Sequence, residues 1–303
     1  NALDSPGYDL LALIHGSEGL LGIIMQITVK LLPTPPLARV LLGAFRDVES
    51  AANSVAGVIA AGIIPAGLEM MDNLAIGAAE DFCHAGYPRD AAAILLCELD
   101  GTSGEVDGQL TSVQKIFSDN GCTSVQLSNS EQERDRFWIG RKSAFPAMGR
   151  IAPDYYCIDG TIPRRHIGLV LTRIAELSQQ FGLPVANVFH AGDGNLHPLI
   201  AYDANDDEQL EAAEKIGGKI LELCVEVGGT ITGEHGVGVE KLDQMCVQFN
   251  SDELALFHRL KDAFDPAGLL NPGKAIPTLA RCAEFGAMHV HNGILPHPEL
   301  ERF

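Results

Sequence analysis

Residues 184–202, PVANVFHAGDGNLHPLIAY, read as two apolar strands joined by a tight turn through Gly192, Asp193 and Gly194. Strands joined by so short a turn run antiparallel, so the sheet that holds them is not a purely parallel one. The residues before the hairpin alternate between two periods. RVLLGAF, IPAGLEM, AAAILLCEL, CTSVQL and YYCIDGTI are runs of strand length. Between them Val48 to Ala61, Glu105 to Asn120, Ser130 to Ala147 and Ile167 to Phe181 read as helices, three of them closed by Gly62, Gly121 and Gly182. A helix from Glu208 to Val227 follows the hairpin. Repeated strand–helix–strand units with hairpin partners predict an α+β domain, an antiparallel sheet covered on one face by helices.

The pattern occurs about twice over, as two ferredoxin-like halves would. Ahead of it, residues 11–32, LALIHGSEGLLGIIMQITVKLL, read as a strand, a glycine-rich turn and a second strand, closed by Pro33, Pro35 and Pro36. The expected division is therefore 1–36, then 37–275, then a tail of 276–303. The chain opens at Asn1 in mid-pattern without an initiator Met, which suggests part of a longer protein.

A formal charge of −19 disfavours nucleic acid and anionic membrane surfaces as partners, and an anionic substrate would need local positive charge. Cys83, Cys97, Cys122, Cys157, Cys224, Cys246 and Cys282 are odd in number and contain no C-x-x-C pair. That argues against a disulfide framework and against an iron–sulfur cluster, and it suits a reducing, cytoplasmic setting. No apolar run reaches the roughly 18 residues that a membrane span needs, so no direct span is expected.

His190 and His197 flank the hairpin turn. If they face each other across the antiparallel pair, their side chains point the same way and can chelate one ion. GGTITGEHGVG, residues 228–238, adds Glu234 and His235 in a glycine-rich loop. His190, His197 and Glu234 are then a two-histidine, one-carboxylate set, which leaves positions open for substrate and suits divalent Zn, Mn or Fe. Taken alone, the two histidines read first as ordinary strand-end residues beside a favourable Gly-Asp-Gly-Asn turn, and the Glu-His pair in the second glycine loop is what favours a metal. His235 is open between a catalytic base and a solvated loop residue. Arg141, one turn after Trp138 on a charged helix, offers a planar fork that matches a carboxylate, but arginines at this spacing also form exposed ion pairs.

HAGDGNLHP, GGTITGEHGVG, GSEGLLGI and LKDAFDPAGLLNPGK, in that combination, resemble the FAD-linked oxidases of the vanillyl-alcohol oxidase superfamily. The branch is the one that holds D-lactate, D-2-hydroxyglutarate and glycolate dehydrogenases. The resemblance implies that 1–36 ends an FAD-binding domain, that 37–275 is the substrate cap with the metal site, and that 276–303 returns toward the flavin domain. It implies FAD contact from Gly16, Ser17, Glu18, Gly19, Gly22 and Ile23, and from Asn271 and Lys274 beside the flavin edge. Those last two serve equally well as a plain helix exit and turn. The family's upstream pyrophosphate-binding glycine segment is absent from these residues, so the chain by itself is expected to hold little FAD.

Arg141 would hold the substrate carboxylate. Cys157 stands where relatives with a two-carboxylate substrate carry a basic residue, which favours glycolate, giving glyoxylate, or D-lactate. The run RCAEFGAMHVHNGILPHPELERF is similar to the end of the glycolate-oxidising members, for which iron–sulfur and second flavin-type subunits are the implied partners. Any association with the inner membrane would pass through those subunits. His289, His291 and His297 read as tail histidines. In the implied reaction His235 takes the hydroxyl proton while hydride leaves C2 for the flavin. The alternative, from a different class, is a metal-binding cap or assembly fragment without catalysis of its own.

Overall fold

The computed structural model describes residues 7–278. Cys282, the three tail histidines and the tail beyond residue 278 lie outside the described residues. The chain divides into two compact units, Leu32–Glu234 and Asn1–Leu31 with His235–Phe303. The sequence reading cut instead at 36 and 275, and so placed 235–275 with 37–234.

The larger unit is built on one sheet. Its strands are β1 Leu37–Phe45, β2 Gly67–Asp72, β3 Ala93–Gly101, β4 Cys122–Leu127, β5 Asp154–Cys157, β6 Val185–His190 and β7 Pro198–Tyr202, in the order β4-β1-β3-β2-β6-β7-β5. Every named pairing is antiparallel. The helices, numbered along the whole chain, are α1 Leu10–Ile14, α2 Val48–Ala60, α3 Asn73–Cys83, α4 Ser103–Asp119, α5 Glu131–Ala147, α6 Ile167–Phe181, α7 Asp207–Glu226, α8 Leu242–Gln248 and α9 Ser251–Phe264. The strand order shows the doubling. In the first half β1-β3-β2 lie side by side, and in the second β5-β7-β6 repeat that arrangement without a fourth strand. The halves join edge to edge through β2 and β6, in the register Glu69↔His190, Met70↔Phe189, Met71↔Val188.

Helices cover both faces of the sheet, not one as expected. Val40, Leu42, Met71, Ile94, Leu96, Val188 and Leu199 share a core with Ala75, Ile76 and Ala79 of α3 and Phe137 and Ala144 of α5. On the opposite face Phe45 meets Phe117 of α4 edge-on, with ring centroids 5.6 Å apart. Burial on both faces explains why Val40 to Phe45 of β1 and Ala93 to Cys97 of β3 are continuous apolar runs without polar alternation. Local signals start the helices: the Asp47 and Asp72 side chains cap α2 and α3, and Thr102 with Glu105 forms a capping box on α4.

In the smaller unit the two expected strands of 11–32 are not formed. LALI lies in the short helix α1, and 23–31 takes no regular structure, with Ile23, Met25, Ile27, Val29 and Leu31 exposed. Alternating apolar residues make a strand only when a neighbour supplies the ladder, and among the described residues none pairs there. Asn250 and Glu253 box the start of α9. Lys261 on that helix gives hydrogen bonds to the carbonyls of Leu20 (2.9 Å) and Leu270 (2.5 Å), tying two distant loops to one turn of helix. The same ammonium, with the Leu270 amide, holds the Asp265 carboxyl down to about 2.

Among the described residues Cys83, Cys97 and Cys122 are free thiols. No described helix is long and apolar enough to cross a membrane.

Candidate metal centre

The face that carries Met71, Val188 and Leu199 into the core continues, one step further along the strands, to Glu69, His190 and His197. Strand parity forces this, because side chains two residues apart point to the same side. The β6–β7 register runs from Asn187↔Pro198 to the isolated bridge His190↔Asn195. His190 is therefore opposite Asn195, not opposite His197 as the spacing suggested, and the two histidines are diagonal neighbours on one face. Their rings nevertheless converge, with centroids 5.2 Å apart and planes at 84°. Gly194 makes the turn possible: its φ is +75°, and a Cβ there would stand 2.2 Å from the Ile162 carbonyl oxygen.

Glu234 arrives from the loop after α7. Gly229 amide hydrogen-bonds the Cys224 carbonyl at 2.8 Å, and Thr161 and Thr230 exchange backbone hydrogen bonds of 3.0 and 2.8 Å. An added Cβ on Gly229 would meet the Thr161 carbonyl oxygen at 2.0 Å, so the loop closes only with glycine there. The fully buried Asp159 then fixes the tip. Its carboxylate accepts from the Thr232 hydroxyl (3.0 Å), the Gly233 amide (2.7 Å) and the Glu234 amide (2.8 Å). Asp159→Ala is expected to cost about 3 kcal/mol or more, since hydrogen bonds to a charged acceptor contribute about 1.5–3 kcal/mol each. It should also weaken divalent-metal binding by freeing Glu234. An unchanged melting temperature and metal affinity would show that the loop holds itself.

Glu234 Oε1 stands 2.7 Å from His197 Nε2 and 3.5 Å from His190 Nε2. The three donor atoms lie within 4.8 Å of one another. Ligands of a tetrahedral ion with ~2 Å bonds are about 3.3 Å apart, so two imidazole nitrogens and a carboxylate oxygen at these separations fit such an ion. His197 is buried beside the Phe145 ring, while His190 and Glu234 are partly open to solvent. An ion held there would keep an accessible side.

Behind His190 is a group the sequence reading did not single out. Glu69 Oε1 accepts from His190 Nδ1 at 2.8 Å, and its Oε2 accepts from Arg141 Nε at 2.9 Å and Nη2 at 2.9 Å. A carboxylate only accepts, so Nδ1 carries a proton, and in the neutral ring the lone pair of Nε2 faces Glu234. The Glu69 hydrogen bond, against partial burial, raises the His190 imidazole above its ordinary range. Arg141 is buried with Phe137, Gly140 and Ala144 on the inner side of α5, which removes the exposed-ion-pair alternative. Its guanidinium is already half committed to Glu69. Cys157 ends β5 opposite Leu199, half-buried.

The residues expected to touch a flavin lie in the smaller unit and bond to one another. Glu18, at φ +51°, accepts from the Val237 and Gly238 amides at 2.7 and 2.8 Å, and its own carbonyl accepts from Asn271 Nδ2 at 2.5 Å. Gly16 and Gly19 form an exposed turn at φ +74°, with nothing within 4 Å of where a Gly16 side chain would stand. Accessible backbone of this kind suits contact with a flat cofactor. Ser17 is half-buried, Gly22 likewise, Ile23 exposed and Lys274 half-buried. The Asn271 amide is spent on Glu18, which leaves its oxygen for any further contact. His235, next in the chain to Glu234, is exposed.

Glu69 and Asp159 were both detectable in principle. Each is a carboxylate inside an apolar run, GLEMM and CIDGTI, and charged residues are seldom buried without a partner.

The seven-stranded antiparallel sheet is that of a flavin-linked oxidase family: the chain belongs to the FAD linked oxidases, whose C-terminal domain matches residues 34–275. Among relatives, it is 67% identical over all 303 residues to the glycolate oxidase subunit GlcD of Escherichia coli K12, and covers 61% of that protein. It is 37% identical to GlcD of Bacillus subtilis, over 92% of this chain and 60% of that one. It is 31% identical to a mitochondrial D-lactate dehydrogenase [cytochrome] of Arabidopsis thaliana, over 89% of this chain and 48% of that one. The chain thus spans about three fifths of its bacterial relatives. Solved structures agree in fold. Substrate-bound p-cresol methylhydroxylase superposes with a TM-score of 0.63 at 16% identity, over 82% of this chain and 54% of the other. Alkyldihydroxyacetonephosphate synthase gives 0.60 at 17%, over 90% and 51%.

Proposed function

We propose that this chain forms the substrate-binding part of an FAD-dependent 2-hydroxy acid dehydrogenase, with glycolate, oxidised to glyoxylate, as the preferred substrate and D-lactate as the second candidate. The observation that carries the proposal is the convergence of His190, His197 and Glu234 beside a buried arginine–glutamate pair. The names of the relatives support the substrate class, and the neutral Cys157 supports a short monocarboxylate. His190, His197 and Glu234 would hold one divalent ion, Zn, Mn or Fe. When bound, that ion would lower the pKa of the substrate hydroxyl and FAD would take the hydride from C2. The remaining steps belong to this chain. Arg141, with donors left over from Glu69, orients the substrate carboxylate, and His235 takes the hydroxyl proton. Gly16, Ser17, Glu18, Gly19, Gly22, Ile23, Asn271 and Lys274 would lie along the flavin, and 1–36 would close the flavin-binding domain.

Iron–sulfur and second flavin-type subunits are the proposed partners on the family resemblance, and the relatives' description as a subunit supports only that further chains take part. A cytoplasmic location, with inner-membrane association through those subunits, is proposed with them. The test is steady-state oxidation of glycolate, D-lactate and L-lactate by FAD- and metal-loaded intact protein with a dye acceptor. Turnover of none of the three would end the proposal.

Arg141→Lys keeps the charge and loses the fork. The expected result is a kcat/KM for glycolate lower by roughly 10- to 100-fold, the range of one charge-assisted hydrogen bond of about 1.5–3 kcal/mol. Unchanged kinetic constants would confine Arg141 to packing.

A further inference from the structure

We propose that Glu69 is the positioning residue of this site: one buried carboxylate, bridging His190 Nδ1 and the Arg141 guanidinium, sets both the ion-binding side and the carboxylate-binding side. The inference rests on the metal reading above and adds to it a residue 121 positions from His190.

The two oxygens of Glu69 are divided between two partners. Oε1 takes the Nδ1 proton of His190, and Oε2 takes Nε and Nη2 of Arg141. The Glu69 side chain is 8% exposed and that of His190 37%, so the buried member anchors the more open one. The β2–β6 register places them directly opposite, and α5 delivers Arg141 from above the same face. A neutral imidazole that donates through Nδ1 presents an unprotonated Nε2, the form a metal ion needs. Such carboxylate–histidine pairs orient the ligand and raise its basicity. Glu69 also compensates the charge of Arg141, which would otherwise be buried alone at high cost.

Glutamine is nearly isosteric but cannot serve both partners. If its oxygen faces Arg141, its NH2 faces Nδ1, and His190 must accept there and carry its proton on Nε2, which occupies the ligand lone pair. If it turns over, the NH2 opposes the guanidinium donors. Either way one partner loses its acceptor and the buried Arg141 charge loses its counter-ion.

The test uses intact wild-type protein with Glu69→Gln, Glu69→Asp and His190→Ala, and Mn(II) alone as the probe, its free concentration read by electron paramagnetic resonance. Glu69→Gln is expected to bind Mn(II) 10- to 100-fold more weakly, the usual loss for an outer partner of a ligating histidine. Glu69→Asp should fall between it and wild type, and His190→Ala should bind least. The second readout is the 15N spectrum of histidine-labelled, metal-free protein. Measured at a pH where the His190 ring is neutral, wild type should show the Nδ1–H tautomer, and Glu69→Gln the Nε2–H tautomer. A glutamate that merely packs the seam would change the melting temperature and leave the tautomer alone. If folded Glu69→Gln binds Mn(II) as wild type does while His190→Ala does not, the inference is wrong and the metal reading stands. Should Glu69→Gln fail to fold, the wild-type tautomer decides, and Nε2–H there overturns the proposal. If His190→Ala also keeps wild-type affinity, the metal reading falls and this inference with it.

Discussion

His190→Ala and Glu234→Gln are each expected to lose divalent metal and 2-hydroxy acid turnover together, with metal affinity down by roughly 100-fold or more. The magnitude follows from what is removed. Loss of an outer partner already costs about 10- to 100-fold in affinity, and these side chains are the proposed ligands themselves. Both are partly exposed, so neither substitution opens a large cavity, whereas His197 is buried against Phe145 and its removal would mix a packing loss into the result. Elemental analysis and turnover should be measured on the same preparations of intact protein. Metal content unchanged in both variants would make the hairpin histidines structural, and the proposed chemistry would lose its Lewis acid.

His235→Ala should behave in the opposite way. Turnover is expected to fall by about 10²–10⁴, the usual contribution of a positioned proton acceptor, with metal largely retained. The asymmetry is the informative part. His235 and Glu234 are adjacent in one glycine-rich loop, so a loop that simply collapsed would lose metal in both variants. Only a division of roles separates them. If His235→Ala emptied the site while Glu234→Gln kept its ion, ligand and base would have to exchange places.

The three proposed ligands could be nominated from the chain because two of them flank a hairpin whose turn chemistry is local, and the third stands in a loop whose glycines mark it as irregular. Their geometry could not. The turn of residues 191–197 sets a register in which His190 opposes Asn195, a consequence of pairing that spacing alone does not reveal. Glu69 was overlooked for a related reason. Its partners are 121 residues away on β6 and 72 away on α5, and nothing in GLEMM identifies them. Residues 11–32 misled in the other direction. Their apolar alternation is that of a strand, but a strand is defined by its neighbour, and among the described residues that neighbour does not occur.

What the amino-acid order determined by itself were the elements of the larger unit and their antiparallel class. Helix caps, terminating glycines and the tight hairpin act over a few residues, so their signals are complete within a short window. What only the tertiary structure decided was the seam between the two halves. There β2 meets β6, and Glu69 joins His190 to Arg141. From the other side Asp159 holds the Glu234 loop across 75 residues of chain. Those contacts depend on how two similar half-sheets meet edge to edge, and burial then makes each charge depend on a partner that the folded chain alone brings within reach.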